Sequence, residues 1–80
     1  MLSGFEGYEL ISISDVIRDG LGLELWKLSA EGSKEMVAEV FRQDPQGTLT
    51  LTTWGKDVDL DLICRFIDVA RAGLALDGSA

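Results

Sequence analysis

Four aspartates in the C-terminal half have a spacing that resembles a calcium-binding loop. Asp57, Asp59 and Asp61 fall at the first, third and fifth positions of such a loop, and Asp68 falls at the twelfth. A calcium loop needs a glycine at its sixth position to make a sharp turn, and here that position is Leu62. The aspartates are better suited to the first turn of a helix, where exposed amide groups favour negative charge. We therefore predict no metal site.

Residue types that carry nucleophilic catalysis are scarce. The chain has no histidine and one cysteine, Cys64, and no base is available to activate Ser12 or Ser14. Without imidazole, Ser-His and Cys-His pairs and most zinc sites cannot form within one chain. A lone cysteine cannot close an internal disulfide and is most often a small buried hydrophobe. We predict that the protein is not an enzyme and has no catalytic residues and no cofactor.

The charge balance limits the kinds of ligand. Seven Lys and Arg stand against fourteen Asp and Glu, which gives a net charge of −7. Nucleic acid is bound by clustered positive charge, so we expect none here, whereas an acidic surface attracts basic proteins. No apolar stretch approaches the roughly 18 residues that a membrane span needs, and the N-terminus lacks the pattern of a signal peptide. We expect a cytoplasmic protein that does not bind membranes.

Length and apolar periodicity predict the elements of the first half. Eighty residues, 46% of them apolar, suit a single domain over 1–80, with an ordered core at about 8–76 and frayed termini. Residues 8–14 suit a strand or an extended lead-in, and 14–20 suit either a one-turn helix or a turn. The next strand, 23–28, changes its apolar phase near Leu25, which indicates a bulge or two covered faces.

The second half predicts a hairpin, a further strand and a helix. Residues 30–33 have turn composition, 35–42 are β-rich, and Asp44-Pro45-Gln46-Gly47 suits a type I turn. Residues 48–54 alternate, and from Asp57 the apolar period becomes helical, with Gly73 or Gly78 as its stop. The predicted fold is α+β, an antiparallel sheet of three to four strands packed on one C-terminal helix. Its expected core contains Val40, Leu49, Leu51, Ile63, Phe66 and Ile67.

Aromatic and acidic side chains supply the candidate contacts with a partner. One helix covers only one face of a sheet, so we expect some aromatic rings to lie on the surface. Trp and Tyr are favoured anchors of protein interfaces, although the two tryptophans would also suit the ends of the core. The partner-binding candidates are Glu24, Trp26, Glu39, Asp44 and Trp54.

The C-terminal half also carries a family resemblance. The segments are EVFRQD at 39–44, GTLTL at 47–51, DVDL at 57–60, and a helix containing Ala70 and Arg71. They resemble small uncharacterised bacterial proteins in which a β-hairpin with an acidic turn leads through an Asp-Val-Pro-Leu-like segment into a C-terminal helix. Some of these are immunity proteins that accompany antibacterial toxins. Asp59 stands where that pattern has proline. The resemblance implies a cytoplasmic, non-enzymatic protein that neutralises a basic toxin or enzyme by direct contact.

Two other functions fit the same composition. A structural or adaptor subunit would bury its apolar surface by self-association through the sheet, for example as a homodimer. A phage-type inhibitor that imitates DNA, such as an anti-CRISPR protein, would share the acidity. It would need its acids on one face, whereas several acids here alternate with bases along the chain.

Overall fold

A four-stranded antiparallel sheet and one helix make up the fold, as the sequence predicts. The structure is a computed structural model, and it describes residues 4–44, 47–54 and 57–74. The strands follow one another in the sheet in chain order, and each is antiparallel to its neighbours. The elements are β1 (Tyr8–Asp15), β2 (Gly20–Leu28), β3 (Lys34–Gln43), β4 (Thr48–Thr53) and α1 (Leu60–Gly73).

The turn between β1 and β2 settles the choice between a short helix and a turn at residues 14–20. Asp15 ends β1, and its carboxylate oxygen Oδ1 accepts hydrogen bonds from the backbone amides of Ile17 and Arg18, at 3.0 and 3.1 Å. The same bonds can cap a helix, but residues 16–19 form only a turn, in which the amide of Asp19 donates to the carbonyl of Val16 at 3.3 Å. Asp19 completes the turn with a positive φ of 58°, which Asp tolerates better than most residues.

The other two hairpins lie where the turn residues predict them. Ser29 and Ser33 close the β2–β3 turn, since the amide of each donates to the other residue, at 2.9 and 3.0 Å. In the β3–β4 turn, the amide of Gly47 donates to the carbonyl of Gln43 at 2.7 Å. The predicted type I turn cannot be followed through Pro45 and Gln46, which lie outside the described residues.

A β-bulge in β3 lies beside the point where the apolar phase of β2 changes. Leu25 lies opposite Ala38 and Trp26 lies opposite Met36, so Val37 is an extra residue in the ladder. Of the two explanations for the phase change near Leu25, the bulge is confirmed. Leu25 lies on the helix side of the sheet and the adjacent Trp26 lies on the opposite side, because successive residues of β2 alternate between faces.

The main core lies between the sheet and α1. Asp59 caps the helix, because its carboxylate accepts the amide of Leu62 at 2.9 Å, and Leu74 follows the last helical residue. The predicted start of the helix among the aspartates is confirmed, and of the two predicted stops, Gly73 and Gly78, the helix ends at Gly73. The core also includes Phe5, which lies ahead of the first strand. Its buried members are Phe5, Leu25, Ala38, Val40, Leu62, Phe66, Ala70 and Leu74.

Part of the predicted core is wrong. Val40 and Phe66 are buried and Ile63 and Ile67 are partly buried, but Leu49 and Leu51 are 36% and 45% exposed. The alternation in β4 correctly places both leucines on the helix side, since Leu51 lies opposite the buried Val40. They are exposed because β4 is an edge strand, and α1 buries its apolar side chains against the neighbouring strands.

Gly20 is needed because no side chain fits there. A Cβ atom at this position would collide with the backbone oxygen of Arg42 and come within 2.8 Å of the Phe41 ring. We expect Gly20→Ala to lower the free energy of unfolding by about 1–3 kcal/mol, the usual cost of overpacking. Urea denaturation followed by circular dichroism measures this change.

Gly73→Ala is the matched control for this substitution. Its added Cβ would meet nothing within 4 Å, and alanine favours the helical conformation over glycine by up to about 1 kcal/mol. The control should leave stability unchanged or raise it. Equal destabilisation by the two substitutions would contradict the close packing at Gly20.

Candidate protein-binding surface

The sheet face opposite α1 gathers three of the five predicted contact residues. Residues directly opposite one another in an antiparallel ladder share a face, and successive residues alternate between faces. Glu24 and Glu39 are cross-strand partners, and Trp26 is the next residue of β2 on their face. Leu25, between them, points into the core on the other side. We call this surface the helix-free face.

One end of the helix-free face is closed by an aromatic ring packed on glycine. Phe41 points away from the helix, and yet it is only 6% exposed. It lies directly opposite Gly22, which in turn pairs with Ile13 on β1. A Cβ at Gly22 would come within 2.9 Å of Ile13 and 3.1 Å of Phe41, so the missing side chain makes room for both. The glycine thus allows apolar burial without a second helix.

Arg18 covers the exposed side of this ring. Its guanidinium carbon lies 3.9 Å from the centroid of Phe41, which is a cation–π contact. The same guanidinium donates to both carboxylate oxygens of Glu39, at 2.9 and 3.2 Å, and to Asp15 at 2.6 Å. We call this group of four residues the arginine clasp. It closes the face near the β1–β2 turn.

The pKa values of Asp15 and Arg18 shift in the directions that their hydrogen bonds require. Hydrogen bonds from Arg18, first from its side chain and then from its backbone, hold the pKa of Asp15 below its ordinary value. The pKa of Arg18 is raised, chiefly by its hydrogen bonds to Glu39 and then by those to Asp15. Asp15 and Arg18 therefore stay ionised at neutral pH. The Glu39 side chain is only 8% exposed, and its charge is compensated by Arg18.

The other end of the helix-free face carries an aromatic ring and a carboxylate with no arginine between them. The indole N–H of Trp26 donates to Oε1 of Glu24 at 2.9 Å, and both side chains are partly exposed. Within the described part of the chain, Glu24 forms no ion pair. Its neighbour across Trp26, Glu9, is paired with Lys34 at 2.9 Å. We call Trp26 and Glu24 the open pair.

The remaining two predicted contacts lie away from this face. Asp44 accepts two hydrogen bonds from Arg42, at 2.9 and 3.3 Å, and Arg42 also donates to the carbonyl of Leu74 at 2.9 Å. Asp44 thus orients an arginine that holds the end of α1. Trp54 is 47% exposed after β4 and lines a cavity of about 120 Å³ with Tyr8 and Val58.

The tip of the β1–β2 turn shows two exposed apolar side chains that the sequence reasoning did not single out. Val16 is 89% exposed and Ile17 is 96% exposed. They are adjacent in sequence to Arg18, whose clasp fixes the turn against the sheet. The alternation that predicts strands does not identify these two residues, because they are exposed by their position in the turn.

Two further predictions concern metal binding and Cys64. Across residues 4–44, 47–54 and 57–74, no three His, Cys, Asp or Glu side chains are grouped so that they could hold a metal ion. The expectation that Cys64 is buried is wrong, because the thiol lies on the exposed side of α1. The helix repeat places it between Ile63, which packs on the core, and the exposed Arg65.

Comparison with known proteins found no match. No family model matches the chain, and neither does any curated protein or solved structure. The resemblance of residues 39–74 to immunity proteins therefore stays a prediction. In the described part of the chain, no helix has the length and apolar character needed to cross a membrane.

Removing the clasp arginine should destabilise the protein and expose Phe41. Arg18→Met keeps much of the side-chain length, but it leaves the buried Glu39 carboxylate without its cation. We expect a lower urea midpoint than for Arg71→Met, a matched change at an exposed helical position. Urea denaturation of the two variants measures this difference. Equal midpoints would show that the clasp contributes nothing to stability.

The lowered pKa of Asp15 predicts acid sensitivity. Its contribution to stability is fully present above the unfolded pKa of about 3.9, and it is lost as pH falls through the lower folded value. The advantage of the wild type over Asp15→Asn should therefore be constant near neutral pH and shrink below about pH 4. Urea denaturation at a series of pH values tests this. The effect should become smaller in an Arg18→Met background, which removes the side-chain hydrogen bond but keeps those from the backbone amides of residues 17 and 18. An undiminished effect there would contradict the assigned cause.

Proposed function

We propose that this chain is a small, acidic, non-catalytic binding protein that holds a basic protein against the helix-free face. Its mode of action would be that of an immunity-type inhibitor, which neutralises a toxin or enzyme in the cytoplasm by direct contact. The observation that carries this proposal is the open pair, Trp26 and Glu24, which offers an aromatic ring and a carboxylate that pairs with no cation among the described residues.

The arginine clasp serves as a template for what the open pair would bind. In the clasp, one guanidinium stacks on Phe41 and pairs with Glu39. The open pair presents the same two groups on the same face, an aromatic ring and a carboxylate. An arginine of a partner could stack on Trp26 and donate to the oxygen of Glu24 that the indole does not use. Arginine over tryptophan is a strong cation–π contact, and hydrogen bonds between charged groups are stronger than neutral ones.

The surroundings of the open pair also suit a protein contact. Ile11 and Met36 are partly exposed on the same face, beside Glu24 and Trp26 respectively. Tryptophan held among apolar neighbours is a common centre of interface energy, because partner and neighbours together exclude water from it. The net charge of −7 would accelerate the approach of a basic partner.

The charge pattern favours this function over imitation of DNA. A DNA mimic needs a row of uncompensated negative charges on one surface. On the helix-free face, Asp15 and Glu39 are paired with Arg18, and Glu9 is paired with Lys34. Among the described carboxylates of that face, only Glu24 lacks an ion-pair partner, which suits recognition of a single basic side chain.

Affinity capture with matched variants tests the proposal. The wild type, Glu24→Gln and Glu31→Gln would each be immobilised and exposed to a lysate of the native host at low salt. Glu31 is an exposed turn residue, so its variant makes the same change of charge away from the open pair. We expect one basic protein, in a defined ratio, on the wild type and on Glu31→Gln. With the purified partner, Glu24→Gln should weaken binding at least about tenfold, equivalent to about 1.4 kcal/mol.

Salt and a second variant complete the test. Binding through an ion pair should weaken as salt rises, since exposed charges are screened. Trp26→Leu, which keeps an apolar side chain but removes the ring, should also weaken binding. If Glu24→Gln and Glu31→Gln bind the partner equally, or if the affinity does not depend on salt, the proposal is wrong.

A further inference from the structure

The last strand, β4, forms an unprotected edge of the sheet. It is the final strand in the order, and all six of its residues, Thr48–Thr53, are exposed. None of these residues carries a charge, and none is proline. An edge strand presents unpaired backbone amides and carbonyls to any strand that can approach it.

The opposite edge differs in ways that discourage pairing. β1 contains Glu9 and Asp15, and each of these is held in an ion pair on the helix-free face. Charged residues on an edge strand are a common protection against pairing with other chains. β4 has no such protection, although it belongs to the same small sheet. β1 is therefore suited to contact with solvent, whereas β4 is suited to contact with another strand.

The leucines of β4 add an apolar seam beside this edge. Leu49 and Leu51 lie on the helix side and are 36% and 45% exposed. Between them and α1 lies a shallow cavity of about 150 Å³, also lined by Val40 and Ile67. These leucines lie on the same side of the sheet as α1, but α1 does not cover them. A neighbour along the β4 edge would remove them from water.

We propose that β4 pairs with β4 of a second copy of this chain. The two strands would run antiparallel about a two-fold axis perpendicular to the sheet, and they would join the two four-stranded sheets into one continuous sheet. This axis keeps both helices on the same side. Each residue on the helix side then pairs with another residue on the helix side, so the leucines of one copy lie beside the leucines of the other.

Charge identifies the occupant as a second copy. Each chain carries a net charge of −7, so two copies repel one another over most of their surfaces. They can approach closely where acids are absent, and β4 is such a segment. A basic partner would be attracted to the acidic groups of the chain, and none of these groups lies in β4. The alternating Thr-Leu pattern is also complementary to itself in the antiparallel register.

Salt distinguishes this contact from the proposed function. Screening weakens the repulsion between two acidic chains, so the dimer should become stronger as salt rises. The complex with a basic partner should become weaker under the same change. The two proposals concern different surfaces, and either one can fail while the other holds.

Sedimentation equilibrium of three purified proteins tests the proposal. Leu51→Glu places a like charge from each copy beside the two-fold axis, whereas Leu60→Glu makes the same change at a 73% exposed helix position. We expect the wild type and Leu60→Glu to form dimers in proportion to concentration at high salt. The dissociation constant of Leu51→Glu should be at least about tenfold higher.

A measurement on the unmodified chain keeps the test decisive if Leu51→Glu does not fold. Amide hydrogen exchange in β4 should slow as the protein concentration rises, while exchange in β1 stays the same. The proposal is overturned if the wild type remains monomeric up to about 1 mM. It is also overturned if the two glutamate variants dimerise equally, or if concentration protects β1 and not β4.

Discussion

A sheet has two faces, and the part of this chain that the structure describes has one helix with which to cover them. The consequences of that constraint extend through the whole molecule. On the helix side, α1 packs Leu62, Phe66 and Ala70 against the sheet and makes the main core. On the other side, burial has to come from the strands and turns themselves. Phe41 achieves it at one end, because Gly22 leaves room beside its ring and Arg18 covers it.

The β1–β2 turn connects the packing of Phe41 to the proposed binding surface. The carboxylate of Asp15 shapes the β1–β2 turn and also receives a hydrogen bond from the Arg18 side chain, which brings the guanidinium over Phe41 and Glu39. One end of the helix-free face is thereby closed, and its charges are paired. The far end keeps Trp26 and Glu24 partly exposed, and within residues 4–44, 47–54 and 57–74 no cation pairs with the carboxylate. The proposed partner would supply at the far end what Arg18 supplies at the near end.

Sequence reasoning predicted the features that depend on local periodicity. The α+β fold and the helical period from Asp57 follow from the apolar phase and the turn residues, and a bulge was one of two alternatives that they left open near Leu25. Whether a helix covers a given strand depends on residues that are distant in sequence. Alternation in β4 shows which face Leu51 occupies, but it does not show that α1 leaves this residue exposed. The contact between Arg18 and Glu39 joins residues 21 apart and has no sequence motif. The sequence alone therefore indicates a surface contact at Glu39, whereas Arg18 compensates its charge within the chain.

The helix-free face is the surface proposed to bind a basic partner. Hydrogen exchange of the captured complex tests this most directly. Comparison of the free and bound chain reports the protection of each segment from solvent. The account predicts slower exchange in β2 around Glu24 and Trp26, with α1 unchanged. Protection confined to α1, with no change in β2, would contradict it.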